Sequence, residues 1–175
     1  MPTKNEVPVT QFLAEEVYLP GYMSLREQDY GGREALFEFN IQEPPVARGS
    51  IIHYATPRGY HIAISQGGYA LTEHLLNEGD LEVEGVDIER LRKILLTGRV
   101  KIGRLDEHFR REVQLGKPTH ARFELRRIRK LFGETYLEFG FDFANRSMWG
   151  MFLSSIKPSS TVQLNAEVIR IQNAN

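Results

Sequence analysis

Ser65, Gln66 and Tyr69 stand at i, i+1 and i+4 of a stretch with helical periodicity, "GYHIAISQGGYALTEHLL". That spacing sets them close together on one side of a helix. Gln66 is suited to orient a water or hold a substrate carbonyl. Ser65 does likewise, or attacks as a nucleophile if a base such as His53 serves it. Gly59, Tyr60 and His61 fall at the start of the same helix. There the first backbone N–H groups lack intrahelical acceptors, and the positive end of the dipole favours a developing oxyanion. Gly59 lets a ligand approach the backbone closely. Tyr22, Tyr54 and Tyr69 offer hydroxyls to a polar group on the substrate. The competing reading of the Ser-Gln pair is a buried polar cluster satisfied within the chain. His53, His61 and Tyr69 have the same structural alternatives. His74, His108 and His120 lack metal-ligand spacing and read as surface residues; no metal site is expected.

The elements that must position these groups read as one α+β domain over residues 1–175, frayed at 1–9. "QFLAEEVYL" forms a helical turn or two. "EALFEFNI" is a strand with Phe37, Phe39 and Ile41 on one face, and "IIHY" is short and extended. Asp87 caps a second helix, "VDIERLRKILL", with Gly98 just beyond its end. From Arg99 the pattern changes to period two. "RVKIGRL", "THARFELRRIRKLF", "TYLEFGFDFA" and "SMWGMFLSSI" are strands, "DEHFRREVQLGKP" is a polar loop, and "TVQLNAEVIRIQ" adds a last strand. "LFGE" and "ANRS" are hairpin turns.

Gly67 and Gly68 interrupt the first long helix at its centre, where each costs about 1 kcal/mol relative to alanine. Tyr60, Ala63, Ile64, Gly67, Leu71 and Leu75 form a buried stripe. Gly67 therefore makes room for sheet side chains, with the phenylalanines of 137–143 as the expected neighbours. Gly68 lies beside the opposite face and leaves room for a substrate or a second chain.

The bulk properties narrow the classes. The 175 residues carry 41% hydrophobic and 26% charged residues, a net charge of −1 and no cysteine. This excludes thiolate chemistry and argues against broad nucleic-acid binding. No apolar run is long enough to span a bilayer, and the start has no signal-peptide pattern. A cytoplasmic protein is the expectation.

A long curved antiparallel sheet around one helix resembles the hot-dog fold. "IHYATPRGYHIAISQGGYA", "NEG" and the Phe109–Arg110 pair are similar to the pattern of the FcoT-like thioesterase family, over roughly residues 18–157. The chain departs from it at Ser65 and Ala55, where that family has asparagines. The helical carboxylate of related dehydratases is replaced at 64–66 by Ile-Ser-Gln. The resemblance implies hydrolysis of an acyl thioester, acyl-CoA or acyl-carrier-protein, with coenzyme A or phosphopantetheine entering only as part of the substrate. Gln66, Ser65, His53 and Tyr69 would be catalytic. Tyr22, Tyr54, Gly59, Tyr60, His61, Gly68, Arg126 and Arg127 would bind substrate. Alternatives are addition to or elimination from an enoyl thioester, and a non-catalytic acyl-binding module. The run "RRIRK" (126–130) is a solvated strand face or, with Arg99, Lys101, Arg104, Arg110 and Arg111, a basic rim for phosphates or a carrier protein. An open sheet edge predicts a homodimer or a dimer of dimers, with the face of Ser65, Gln66, Gly68 and Tyr69 meeting the partner. On this reading Gln66→Ala lowers turnover more than stability.

Overall fold

The computed structural model describes residues 8–18, 22, 24–41, 55–97 and 100–157. A short helix α1 (Val9–Phe12) runs into a π-helical turn (Leu13–Val17). It is followed by β1 (Leu25–Gly31), β2 (Glu34–Asn40), α2 (Pro57–Glu78), α3 (Ile88–Leu96), β3 (Val100–Phe109), β4 (Pro118–Leu131), β5 (Glu134–Phe143) and β6 (Met148–Ile156). The six strands form one antiparallel sheet in the order β1-β2-β4-β5-β6-β3, with α2 packed against it. This is the α+β hot-dog arrangement.

The local chemistry accounts for the ends of α2. Pro57 at the first helical position has the right φ and no N–H to satisfy. Gly79 ends the helix in the left-handed region, at φ 80°. In between, every residue from Gln66 to Glu73 is buried, so the helix is covered on all sides. For α3, the Asp87 carboxylate accepts the Arg90 N–H at 2.7 Å, the cap the sequence predicts.

The double glycine marks the closest approach of helix and sheet. A Cβ on Gly67 would lie 2.6 Å from Cζ of Phe123 in β4. A Cβ on Gly68 would collide with the Phe152 ring in β6. Two expectations are corrected here. The ring against Gly67 comes from β4, one strand earlier than the 137–143 run. Gly68 is small because its own chain's Phe152 lies over it. Phe123 is fully buried and Phe152 nearly so. Burying two such rings is worth roughly 3–6 kcal/mol, against about 2 kcal/mol for two helical glycines, so the close approach is favourable. Leu137, Phe139, Phe141 and Phe143 do share the inner face, and Phe139 stacks on Phe152 at 4.9 Å.

Two further elements differ from the sequence reading. The segment "LREQDYG" forms β1, which escaped notice because its charged residues hide the alternation. "DEHF" continues β3 instead of forming a loop, because β6 supplies hydrogen-bonding partners as far as Phe109. The expected strands at 51–54 and 161–172, and Gly98, lie outside the described residues.

Gly67→Ala gains helix propensity but presses a methyl into a ring that has no room to move. We expect a net loss of about 1–3 kcal/mol by overpacking, read as a lower urea midpoint. Phe123→Leu in the same chain should recover part of it.

Candidate functional site

The sequence-predicted helix residues divide into two groups. Gln66 is fully buried, and its side chain is committed to the chain itself. Its Oε1 accepts the backbone N–H groups of Ser24 and Leu25, both at 3.0 Å, and its Nε2 donates to the Tyr22 carbonyl at 2.9 Å. The amide thus fixes the entry to β1 against α2. This corrects the catalytic assignment: both lone pairs of the carbonyl oxygen are in use, and no pocket reaches Gln66 among those described. Tyr60 is corrected too. It is a core residue, its ring 5.5 Å from Phe109 and 5.7 Å from Phe143. Its N–H already donates to the Thr56 carbonyl at 3.2 Å. The amides ahead of it in the helix are those of Arg58 and Gly59.

Ser65, Gly68, Tyr69 and Thr72 line a cavity of about 250 Å3 between α2, α3 and the sheet. Its other walls are Leu91 and Leu95 of α3, Val100 and Ile102 of β3, and Phe139, Phe152 and Ser154 of β5 and β6. Tyr18 closes one side. The lining is mostly apolar with a few hydroxyls, the usual make-up of a small-molecule site, although the volume falls just below the usual range of about 300–1,000 Å3. Two larger depressions of about 850 Å3 are open and rich in charge. One lies on the outer face of the sheet, around Arg122, Arg126, Asp142 and Trp149.

The polar groups of the cavity are tied to their surroundings. Ser65 Oγ donates to the His61 carbonyl at 2.8 Å, and Thr72 Oγ1 to the Gly68 carbonyl at 2.7 Å. Tyr69 donates its phenol proton to Glu73 Oε2 at 2.9 Å. Glu73 is held in turn by Arg92, through Nε at 3.1 Å and Nη2 at 2.5 Å. The guanidinium also lies 4.8 Å from the Phe12 ring, which packs against Tyr69 at 6.1 Å. Burial and the neighbouring Glu73 carboxylate hold the Tyr69 phenol far above its ordinary value. Burial alone pushes Tyr18 up to about 12.

Glu73 and Arg92 are residues that the sequence reading missed. The helix carries a carboxylate two turns beyond 64–66, but it is held by Tyr69 and Arg92 and does not line the cavity. The available signal was the Tyr69–Glu73 spacing of four, which places the two groups in contact on a helix.

At the start of α2, His61 Nε2 lies 3.1 Å from Glu107 Oε2 of β3. Arg58 donates to the Tyr22 hydroxyl at 3.0 Å and stands over its ring. The structure therefore brings the Tyr22 side chain to Arg58 at the start of α2. It also separates Arg126 and Arg127 from the cavity. Arg126 is the extra residue of a bulge in β4 opposite β5. It lies over Gly140 on the outer face, bonded to Glu124 at 3.1 Å. Leu125 and Ile128 on either side turn into the core, so both arginines point away from the helix. His53 and Tyr54 lie outside the described residues.

No protein-family model matches the chain, and no curated protein matches it in sequence. Among solved structures it is similar to a thioesterase superfamily protein from Shewanella loihica, with 9% identity and a TM-score of 0.43 over 83% of this chain and 100% of that one. It is similar to a dehydratase heterocomplex from Xenorhabdus doucetiae, with 9% identity and a TM-score of 0.49 over 93% and 98% of the two chains. A sigma28-regulated virulence protein from Campylobacter jejuni gives 8% identity and a TM-score of 0.49 over 88% and 98%. Among the described residues, no helix is long and apolar enough to cross a membrane, and no cluster of three or more His, Asp or Glu side chains is arranged to hold a metal ion.

Two outcomes follow. Gln66→Ala leaves two buried N–H groups and one carbonyl without their partner. We expect a loss of about 2–4 kcal/mol in urea unfolding, with any activity per folded molecule retained. This reverses the order that the sequence suggested. Tyr18 in the unfolded chain ionises near its ordinary value of about 10, and in the fold it stays neutral to about 12. The stability it contributes is present below the unfolded value and is lost as pH rises through the folded one. The urea midpoint should fall between pH 10 and 12, and less steeply in Tyr18→Phe.

Proposed function

We propose that the protein hydrolyses an acyl thioester whose acyl chain lies in the cavity beside α2. The observation that carries this reading is a single stripe of the helix. His61, Ser65, Tyr69 and Thr72 follow one another along it; the last three line the mostly apolar cavity, and the His61–Glu107 pair lies one turn before Ser65. A chain bound along the stripe presents its carbonyl near the start of α2. The amides of Arg58 and Gly59 and the helix dipole would polarise that carbonyl.

With Nε2 turned to Glu107, His61 keeps Nδ1 as the nitrogen that accepts a proton. It would take one proton from a water as the water oxygen bonds to the carbonyl carbon. On collapse the carbon–sulfur bond breaks, and the same proton passes to the departing thiolate. The products are a free acid and a thiol. Arg58 and Tyr22 stand where they could meet the pantetheine or phosphate end. The FcoT-like pattern of the sequence is in keeping with this chemistry and adds His53 as a further candidate base. Acyl-CoA and acyl carrier protein are both suitable donors.

A second reading, a non-catalytic acyl-binding module, is favoured by one observation. Among the described residues that line the cavity none is charged, and Glu73, behind Tyr69, is already paired with Arg92.

We also propose a homodimer or a dimer of dimers joined through β3. This strand is an open edge among the described residues, with Ile102 and Phe109 exposed on it. Gly68 and Gln66, covered by their own chain, are not part of that surface.

Hydrolysis of a panel of acyl-CoA and acyl-carrier-protein substrates tests the activity. Turnover by the wild type is expected, with His61→Gln reduced about 10²- to 10⁴-fold and its melting unchanged. Binding without turnover on every substrate would establish the second reading. Light scattering should give a dimer or tetramer at micromolar concentration; a monomer would refute the assembly.

A further inference from the structure

We infer that the β4–β5 hairpin docks a second copy of this chain. Phe132 at its tip enters the groove between the end of α2 and the start of α3 of the other molecule, and the reverse contact forms alongside. The turn is Phe132-Gly133, with φ of 52° and 74°. Positive φ at both central positions is the type I′ hairpin geometry, in which Asn-Gly or Asp-Gly is the favoured pair. A phenylalanine there is strained by its Cβ. This one is also 98% exposed, with Leu131 beside it 49% exposed. Neither the turn nor the core of its own chain gains from the ring. Past Leu125, β4 is paired with β5 alone, so the hairpin extends beyond the β1–β2 turn.

The groove is the second of the two open depressions, and it adjoins the tip. Lys130 of the hairpin lines it, with Leu76, Val83 and Ile88 as aliphatic wall. Four carboxylates surround them, Glu82, Glu84, Asp87 and Glu89. Asp87 caps α3 and Glu89 is paired with Lys93. Glu82 and Glu84 are exposed and form no ion pair among the described residues. The hairpin carries the opposite charge. Arg127, Arg129 and Lys130 are exposed and likewise without an ion pair among the described residues. Its own carboxylates are fewer: Glu134 is held by Lys157, and Glu138 stands across the ladder from Arg127.

These two charges side by side select the occupant. An anionic bilayer would attract the arginines and repel the carboxylates next to them. A second copy turned about a twofold axis sets each basic tip against the other's carboxylates, and the ring against the aliphatic wall, so one favourable contact is made twice. An isologous contact of this kind requires tip and groove to be neighbours on one molecule, and Lys130 belongs to both. β6 separates the hairpin from the open edge of β3. Pairing through the tips is therefore additional to pairing through β3, and it is independent of the reaction.

Phe132→Asn tests this without endangering the fold, because Asn-Gly suits the turn better than Phe-Gly. Its melting temperature should equal or exceed that of the wild type. The dissociation constant for self-association, measured by analytical ultracentrifugation of the full-length protein, should rise about 30-fold. A wild-type tetramer would then become a dimer, and a wild-type dimer a monomer. Charge exchange tests the identity of the partner. Glu82→Lys/Glu84→Lys and Arg127→Glu/Arg129→Glu should each associate weakly alone, and an equimolar mixture of the two should recover the wild-type mass. A wild-type monomer overturns the inference, as does a mixture no larger than its components. A dimer whose mass Phe132→Asn leaves unchanged also overturns it, while leaving the pairing through β3 standing. Sedimentation with phosphatidylserine vesicles that needs Phe132, with the protein's mass in solution unaffected by the substitution, would overturn it in favour of a lipid surface.

Discussion

The contact that the rest of the structure depends on is the pair of phenylalanine rings pressed onto a helix that has no side chains to resist them. Phe123 from β4 meets Gly67, and Phe152 from β6 meets Gly68. The two strands lie on either side of β5. Adjacent residues of a helix point about 100° apart, so one strand presses on each side of the axis. The sheet can satisfy both contacts only by curving around the helix. The cost in helix propensity is about 1 kcal/mol per glycine, and burial of the rings exceeds it.

That depth decides what the other helix residues can do. Gln66, next to the glycines, is carried into the interior, where its amide has to be satisfied by backbone. It finds Ser24, Leu25 and the Tyr22 carbonyl and so anchors β1. Ser65, Tyr69 and Thr72 fall on the side where α3 and β3 stand back, and there a cavity remains. The same rotation turns Glu73 toward Arg92, and the phenol of Tyr69 is held between the cavity and this ion pair. One steric constraint thus sorts a run of polar residues into an anchor, a cavity wall and an electrostatic support.

Much of this was legible in the sequence. Period-two runs placed β2, β4 and β5, a run apolar on both faces placed β6, and the glycines pointed to close packing on the central helix. Less was legible where local pattern and tertiary demand diverge. β1 carries charge at positions that face solvent, so its alternation is faint. "DEHF" reads as loop by composition, yet it is held as strand by β6. Ser65 and Gln66 read in the sequence as one polar pair. The direction from which the sheet approaches gives one a buried, saturated amide and the other an open edge of the cavity. That direction depends on which phenylalanine meets which glycine, a long-range fact absent from any local window. Glu73 was overlooked because a carboxylate among apolar neighbours acquires a role only through Arg92, nineteen residues away.

The central claim is that the stripe of α2 below His61, and not the charged outer face of the sheet, is where ligand binds. Backbone NMR during titration with a non-hydrolysable thioether analogue of an acyl-CoA measures this directly. The account predicts that the largest shifts fall on Ser65, Tyr69, Thr72, Leu91, Leu95 and Ser154, with the start of α2 following. Shifts concentrated instead around Arg122, Arg126 and Trp149, with the α2 stripe silent, would contradict it.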